Sequence, residues 1–125
     1  IPEVFARTIS LERKPFIAAL ERIAVLADQH NNVVKLTADP ASGQLQLSAD
    51  ALDVGSGSEA LAAQINGEEI AMAFNVRYLL EGLKAMADAT VRLNLNSPTS
   101  PAVLSADEDG EAGLTYLVMP VQIRS

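Results

Sequence analysis

The chain contains no cysteine and no tryptophan. Without cysteine there is no disulfide framework, no thiolate-held zinc and no cysteine nucleophile, and the absence fits a reducing compartment. Aromatic residues make up only 4%, so the core has to be built from Leu, Ile, Val and Ala. Histidine occurs once, at His30. No uncharged apolar run approaches the roughly 18 residues of a spanning helix, so no membrane segment is expected. The start, Ile1-Pro2-Glu3-Val4, is no secretory signal. It also lacks an initiator Met, and the expectation is a piece of a longer protein. Positive charge is scarce as well: nine Lys and Arg stand against sixteen Asp and Glu, a formal net charge of −7. The chain as a whole does not attract free nucleic acid, and any phosphate contact has to be local and weak.

What is present is apolar material for one domain: 125 residues, 49% of them hydrophobic. Val4 to Leu11 alternates and predicts a strand. Pro15 suits the start of a helix, and Phe16, Leu20, Ile23 and Ala27 form one stripe of a helix over about 15–28. Lys14, Glu21 and Asp28 fall on another side of it. Strands are predicted at 33–37 and 45–48, joined by the turn chemistry of Asp39-Pro40-Ala41-Ser42-Gly43. Gly55-Ser56-Gly57-Ser58 reads as a pliable approach to a strand over 59–65. Asn66-Gly67 is the strongest hairpin turn signal in the chain and leads to a strand over Glu69–Phe74. A second helix follows, with Val76, Leu79, Leu80, Leu83 and Met86 as its apolar stripe and Arg77, Glu81, Lys84 and Asp88 opposite. Strands are expected at about 90–95, 101–106 and 114–119.

The order is strand, helix, three strands, and then the same again. Val34-Lys35-Leu36 and Val91-Arg92-Leu93 lie 57 positions apart, and so do Leu47-Ser48-Ala49-Asp50 and Leu104-Ser105-Ala106-Asp107. Two independent recurrences at one offset indicate an internal duplication. The expected fold class is α+β: a single domain over 1–125, with two βαβββ halves at about 4–65 and 66–123 and two helices packed on antiparallel sheets.

The side-chain inventory offers little for catalysis. His30 reads as an exposed residue at a helix end. Glu68 and Glu69 are strand neighbours and point to opposite faces. Asp107-Glu108-Asp109-Glu111 lacks the spacing of a calcium loop, and Gly55-Ser56-Gly57 lacks the Gly-Lys-Ser/Thr of a phosphate loop. No metal, no cofactor and no catalytic residue is expected. Two features exceed what a bland domain needs. Each helix carries cations on its polar side: Arg13, Lys14 and Arg22 on the first, Arg77 and Lys84 on the second. These make either a solvated face or a contact face. The run Tyr116-Leu117-Val118-Met119-Pro120-Val121 is either a buried edge or an adaptable apolar surface, for which Met is well suited.

Phe74-Asn75-Val76-Arg77-Tyr78-Leu79-Leu80, then Val91-Arg92-Leu93, Ser97-Pro98-Thr99-Ser100-Pro101 and Tyr116-Leu117-Val118-Met119-Pro120 resemble the C-terminal domain of the bacterial DNA polymerase III beta-subunit family, the replicative sliding clamps. Leu20 to Ala27 resembles the first helix of that domain, and the likeness runs from about Val4 to Ile123. The resemblance implies a DNA-clamp fold and a non-catalytic, cytoplasmic processivity factor. Three such domains form a subunit, and two subunits close head to tail into a ring around duplex DNA. The helices line the hole and the sheets form the outer wall. Competing readings are a small-molecule-binding or regulatory βαβ-repeat domain, and a hydrolase using the acidic loop.

Residue by residue, the resemblance implies three surfaces. The pocket for linear peptide motifs of DNA polymerase III subunits, the clamp loader and repair factors would take Asn75, Tyr78, Thr99, Pro101, Leu117, Val118, Met119, Pro120, Val121 and Gln122. The DNA-facing cations would be Arg22, then Lys84, Arg77, Arg13 and Lys14. The subunit interface would use Val25, Leu26, Ser58, Glu59, Ala60 and Leu61. The chain departs from the family pattern at Gln122, commonly Arg, and at Gly55–Ser58, where the edge strand is often rich in Glu. A smaller electrostatic share in ring closure is therefore expected. The isolated chain is expected to be a monomer, because the cognate surface belongs to another domain.

Overall fold

The computed structural model describes residues 6–27, 32–51, 55–86, 89–97, 99–106 and 116–121, with the backbone alone at 26–27, 50–51, 55–56 and 106. The elements run β1 (Arg7–Glu12), α1 (Arg13–Ala27), β2 (Val33–Asp39), β3 (Gln44–Ala51), β4 (Gly55–Ala62), β5 (Gln64–Asn66), β6 (Ile70–Asn75), α2 (Val76–Ala85), β7 (Thr90–Leu95), β8 (Ala102–Ala106), β9 (Tyr116–Val118) and β10 (Pro120–Val121). Val4, Phe5, Asp28, His30, the acidic stretch 107–111 and Gln122 lie outside the described residues.

The strands form two antiparallel sheets with orders β5-β1-β7-β8-β9 and β10-β6-β2-β3-β4. Replacing each of β1–β5 by its counterpart in β6–β10 converts one order into the other. The register follows the same rule: Leu36 faces Leu47 as Leu93 faces Leu104, 57 positions on. The first strand of each half pairs with the hairpin of the other, β1 with β7 and β6 with β2. Neither half can complete a sheet alone. The architecture is α+β, two helices over two antiparallel sheets.

Strand alternation accounts for the core. Val34, Leu36 and Ala38 on β2, Leu45, Leu47 and Ala49 on β3, and Val91, Leu93 and Leu95 on β7 are buried, whereas Lys35, Gln44 and Gln46 are exposed. Phe16, Ala19, Leu20 and Ile23 from α1 and Val76, Leu79 and Leu83 from α2 close the same cluster. Among the described residues one buried polar side chain, Asn94, interrupts it. Asn94 satisfies its amide by donating to the Val103 carbonyl at 2.9 Å and to Ser105 Oγ at 3.1 Å.

Four expectations change. The first helix begins at Arg13, two residues before Pro15. Pro15 still lies in the first turn, where backbone N–H groups have no acceptor within the helix. The Arg13 N–H is satisfied from outside, by the Ala89 carbonyl at 2.8 Å. Gly55–Ser58 is no pliable approach but the first half of β4, paired with Ser48–Ala51 of β3. The strand predicted over 59–65 breaks at Ala63, whose N–H donates to the Gly43 carbonyl at 3.0 Å. There the chain leaves one sheet for the other.

Asn66-Gly67, in consequence, is not a hairpin. β5 pairs with β1, whereas β6 pairs with β2 and β10. The glycine is required for a tertiary reason. Its φ is +107°, and a Cβ would lie 2.5 Å from the Ala6 carbonyl oxygen.

Candidate functional site

Five large apolar side chains are exposed among the described residues: Val25, Tyr78, Leu117, Met119 and Val121. Four of them come together at one end of the fold. Pro120 pairs with Phe74 and Val121 with Ala73, so the chain end lies beside β6, directly before α2. Tyr78 stands in the first turn of α2 and is 55% exposed. Met119, between β9 and β10, is 59% exposed. Ala102 pairs with Val118, which brings Thr99 and Pro101 to the same end. Most of the expected peptide-pocket residues are thus neighbours in the fold.

Two of that set do other work. Val118 is 1% exposed and packs in the core, so its side chain takes no part in the exposed patch. In a strand, neighbours face opposite sides, so Leu117 and Met119 are exposed because Val118 is not. Asn75 is the N-cap of α2, accepting the Arg77 N–H at 2.9 Å. That bond satisfies one of the helix's orphan donors.

Behind the patch, Tyr116 on β9 lies against Gly82 of α2. A Cβ at Gly82 would come within 2.7 Å of the ring. A glycine inside a helix costs about 1 kcal/mol relative to alanine, and close approach of Tyr116 explains it. The sequence signal was available: a single glycine within the apolar stripe of a short helix.

The expected DNA-facing cations do not form one free positive stripe. Arg22 holds the Glu59 carboxylate with two bonds, at 2.6 and 2.7 Å. Lys84 Nζ reaches Glu21 of α1 at 3.1 Å, joining the two helices across their exposed sides. Arg13 is half-buried and donates to the Leu83 carbonyl at 3.1 Å, tying the start of α1 to the end of α2. That bond gives Arg13 a structural contact besides the DNA-facing place expected of it. Lys14 and Arg77 are exposed. The helix face is therefore charge-compensated, with acid beside base.

The expected subunit edge is a physical edge. β4 is the outermost strand of its sheet, at the side opposite β10. Ser58 and Ala60 face outward and are exposed, while Glu59 and Leu61 turn toward α1 and are half-buried. Leu61 packs on the core, so its contribution to an outer surface is small. Val25, 69% exposed, lies one helical turn from Arg22 and so beside the Arg22–Glu59 pair. The side chain of Leu26 lies outside the described residues. Arg22 and Glu59, expected in two different surfaces, are one ion pair that fastens β4 to α1.

That pair has a pH signature. Hydrogen bonding to Arg22 holds the Glu59 carboxyl below its ordinary value of 4.5, and the same contact raises Arg22. A depressed carboxyl stabilises the fold above its unfolded value and ceases to do so as pH falls through its folded one. Arg22 stays charged throughout. In a proton titration followed by NMR, Glu59 should turn over below 4.5, and Arg22→Ala should return it upward. An unmoved midpoint in that variant would break the pairing. Arg22 is exposed and Glu59 only half-buried, so solvent screens the pair, and its contribution to stability is small and weakens with salt.

Among the described residues no group of three or more His, Asp or Glu side chains is placed to hold a metal ion, and no helix is long and apolar enough to cross a membrane.

Comparison with known proteins adds a consistent set of relatives. The family "DNA polymerase III beta subunit, C-terminal domain" matches residues 1–122. The beta sliding clamp of Synechococcus elongatus is 55% identical over the whole chain, which covers 33% of that relative. The beta sliding clamp of Bacillus subtilis is 32% identical over 98% of the chain and 32% of the relative. Among solved structures, the DNA polymerase III beta subunit of Thermotoga maritima superposes with a TM-score of 0.92 at 26% identity, over 99% of this chain and 33% of that one. The sliding clamp of Bacillus subtilis superposes at 0.90 with 32% identity, over 99% and 32%. The chain thus spans about a third of the length of the curated relatives it matches. With the paired sheets and helices described above, the chain belongs to the DNA polymerase III beta-subunit family of bacterial sliding clamps and corresponds to its C-terminal domain.

Proposed function

We propose that the chain is the third domain of a three-domain clamp subunit, a non-catalytic, cytoplasmic processivity factor. Two such subunits close into a ring around duplex DNA. The observation that carries this reading is the separation of two exposed surfaces across one sheet. The apolar patch of Tyr78, Leu117, Met119 and Val121 sits at the β10 end, and β4 with Val25 sits at the other. A ring segment needs a joining edge that leaves its docking surface open. The patch takes short, partly apolar linear motifs of DNA polymerase III subunits and the clamp loader, with Asn75, Thr99, Pro101 and Pro120 around it; the sequence assigns Gln122 to the same set. Tyr78 supplies area and one hydroxyl, and Met119 adapts to different partners. Val25, Leu26 and Ser58–Leu61 belong to the joining edge, so this chain alone remains a monomer.

The compensated helix face suits a topological clamp. A ring held by closure needs no base readout, and weak phosphate contacts permit sliding. Lys84, Arg77 and Lys14 make that contact together with Arg22. In the full-length clamp, Lys84→Glu should shorten residence on DNA and lower the salt slope of binding by about one. Arg22→Glu should also loosen ring closure, because it sets two carboxylates face to face at β4. The double change Arg22→Glu with Glu59→Arg should restore closure but not residence. If both single variants kept normal residence on circular DNA, the helices would not face the duplex.

A further inference from the structure

A hollow of about 610 Å³ opens at the crossover from β4 to β5, on the side of the domain away from the chain end. The internal repeat gives it a counterpart. Leu45 faces Leu61 as Ala102 faces Val118, an offset of 57 residues. Ala62, Ala63 and Gln64 therefore stand where Met119, Pro120 and Val121 stand in the second half. Leu11 faces Val91 as Val34 faces Phe74, which sets β1 and β6 in the same relation. Glu12 and Asn75 are the last residues of those strands, and Pro15 and Tyr78 the third residues of the helices that follow. Glu12, Pro15, Ala62, Ala63 and Gln64 all line the hollow. It is the repeat counterpart of the exposed patch. Two alanines take the places of Met119 and Pro120, and the surface there is concave.

We infer that this hollow is a second docking site, for an extended peptide segment that presents an apolar side chain next to a Lys or Arg. The volume lies within the roughly 300–1,000 Å³ of ordinary ligand sites. Half of the described lining is apolar, Leu11, Pro15, Leu61, Ala62 and Ala63, beside the neutral polar side chains of Ser10, Gln64 and Thr90. Among the described lining residues the one charge is the exposed carboxylate of Glu12, where the patch at the other end has the neutral, capping Asn75. An anionic rim on an apolar hollow selects a basic neighbour to the apolar anchor. The two sites thus differ in charge preference while sharing a backbone frame. The inference rests on reading the chain-end patch as a peptide-docking surface.

Two fluorescent, acetylated hexapeptides test it on the full-length clamp subunit, one alternating leucine with lysine and one alternating leucine with glutamate. Each carries a benzophenone for photo-crosslinking. The lysine peptide should crosslink within 61–64 and bind more tightly than the glutamate peptide. Glu12→Gln should weaken it about fivefold, the upper end for one exposed charge pair. Ala62→Trp should fill the hollow and abolish the crosslink, and Tyr78→Ala should leave it unchanged. Thermal melting of each variant controls for folding. Crosslinks confined to the chain end would overturn this site and leave the docking reading of the patch intact. Crosslinks at 61–64 with none at the chain end would support the hollow, since neither peptide carries the polymerase motif that the chain-end patch is read to take. Equal binding of the two peptides, or no loss in Ala62→Trp, would also overturn it, as would a hollow covered by another domain of the clamp and closed to both peptides.

Discussion

Removing Met119–Ser125 from the full-length clamp is expected to lower its affinity for a polymerase-derived peptide about a thousandfold while the ring stays closed. A few central apolar anchors dominate the energy of a peptide in a groove, each costing about 2 kcal/mol or more when lost. The truncation removes Met119 and Val121, two of the four exposed apolar side chains at that end. It also removes β10, whose ladder consists of Pro120 on Phe74 and Val121 on Ala73. Loss of a two-residue edge leaves the other four strands of that sheet in place. The proposed joining edge, β4, lies at the far side of the same sheet. Fluorescence anisotropy with the peptide and sedimentation of the ring measure the two effects separately. Normal peptide affinity in the truncated ring would dismiss the patch as the docking surface. Tyr78→Ala, which deletes an exposed side chain from a helix surface, should act in the same direction as the truncation.

Phe74→Ala should have the largest effect on stability. The ring of Phe74 is fully buried, and its backbone is paired on both sides, with Val34 and with Pro120. Truncating a buried phenylalanine costs about 3–5 kcal/mol through lost transfer energy and the cavity left behind. That is a large part of the 5–15 kcal/mol that stabilises an ordinary domain. Tyr78→Ala, four residues on and exposed, should change stability by less than about 0.5 kcal/mol. Urea denaturation of the two variants gives the contrast. A Phe74→Ala midpoint close to that of Tyr78→Ala would mean that the Phe74 ring is not buried in the core. The pair of variants also separates causes: Phe74→Ala reaches the patch by loosening β6, Tyr78→Ala by removing an anchor.

Element type was legible in the sequence wherever burial imposed a period. The helix stripes Phe16-Leu20-Ile23 and Val76-Leu79-Leu83 and the alternation of Val91, Leu93 and Leu95 each record one buried face. The internal offset of 57 was legible too, and the hydrogen-bond register keeps it. The chain-end patch was announced by motif and by composition, as a run of apolar residues with Met and Pro.

Partner choice was not legible, because strand pairing and ion pairing are set by distance in space. Asn66-Gly67 has the local chemistry of a hairpin, yet the strands on either side belong to different sheets, and the glycine answers to the approach of Ala6. Gly55–Ser58 has little strand propensity of its own and becomes a strand because β3 offers it a ladder. Arg22 and Glu59 are 37 residues apart, and nothing local says that a helix cation and an edge carboxylate will meet. The apolar periods, the repeat and the surplus of acid were determined by the sequence by itself, since each depends only on neighbours along the chain. Which sheet each strand joins, which cations are compensated, and that two alanines hollow out the counterpart of the Met119–Pro120 patch were decided by the tertiary structure, because each depends on what the packed core brings alongside.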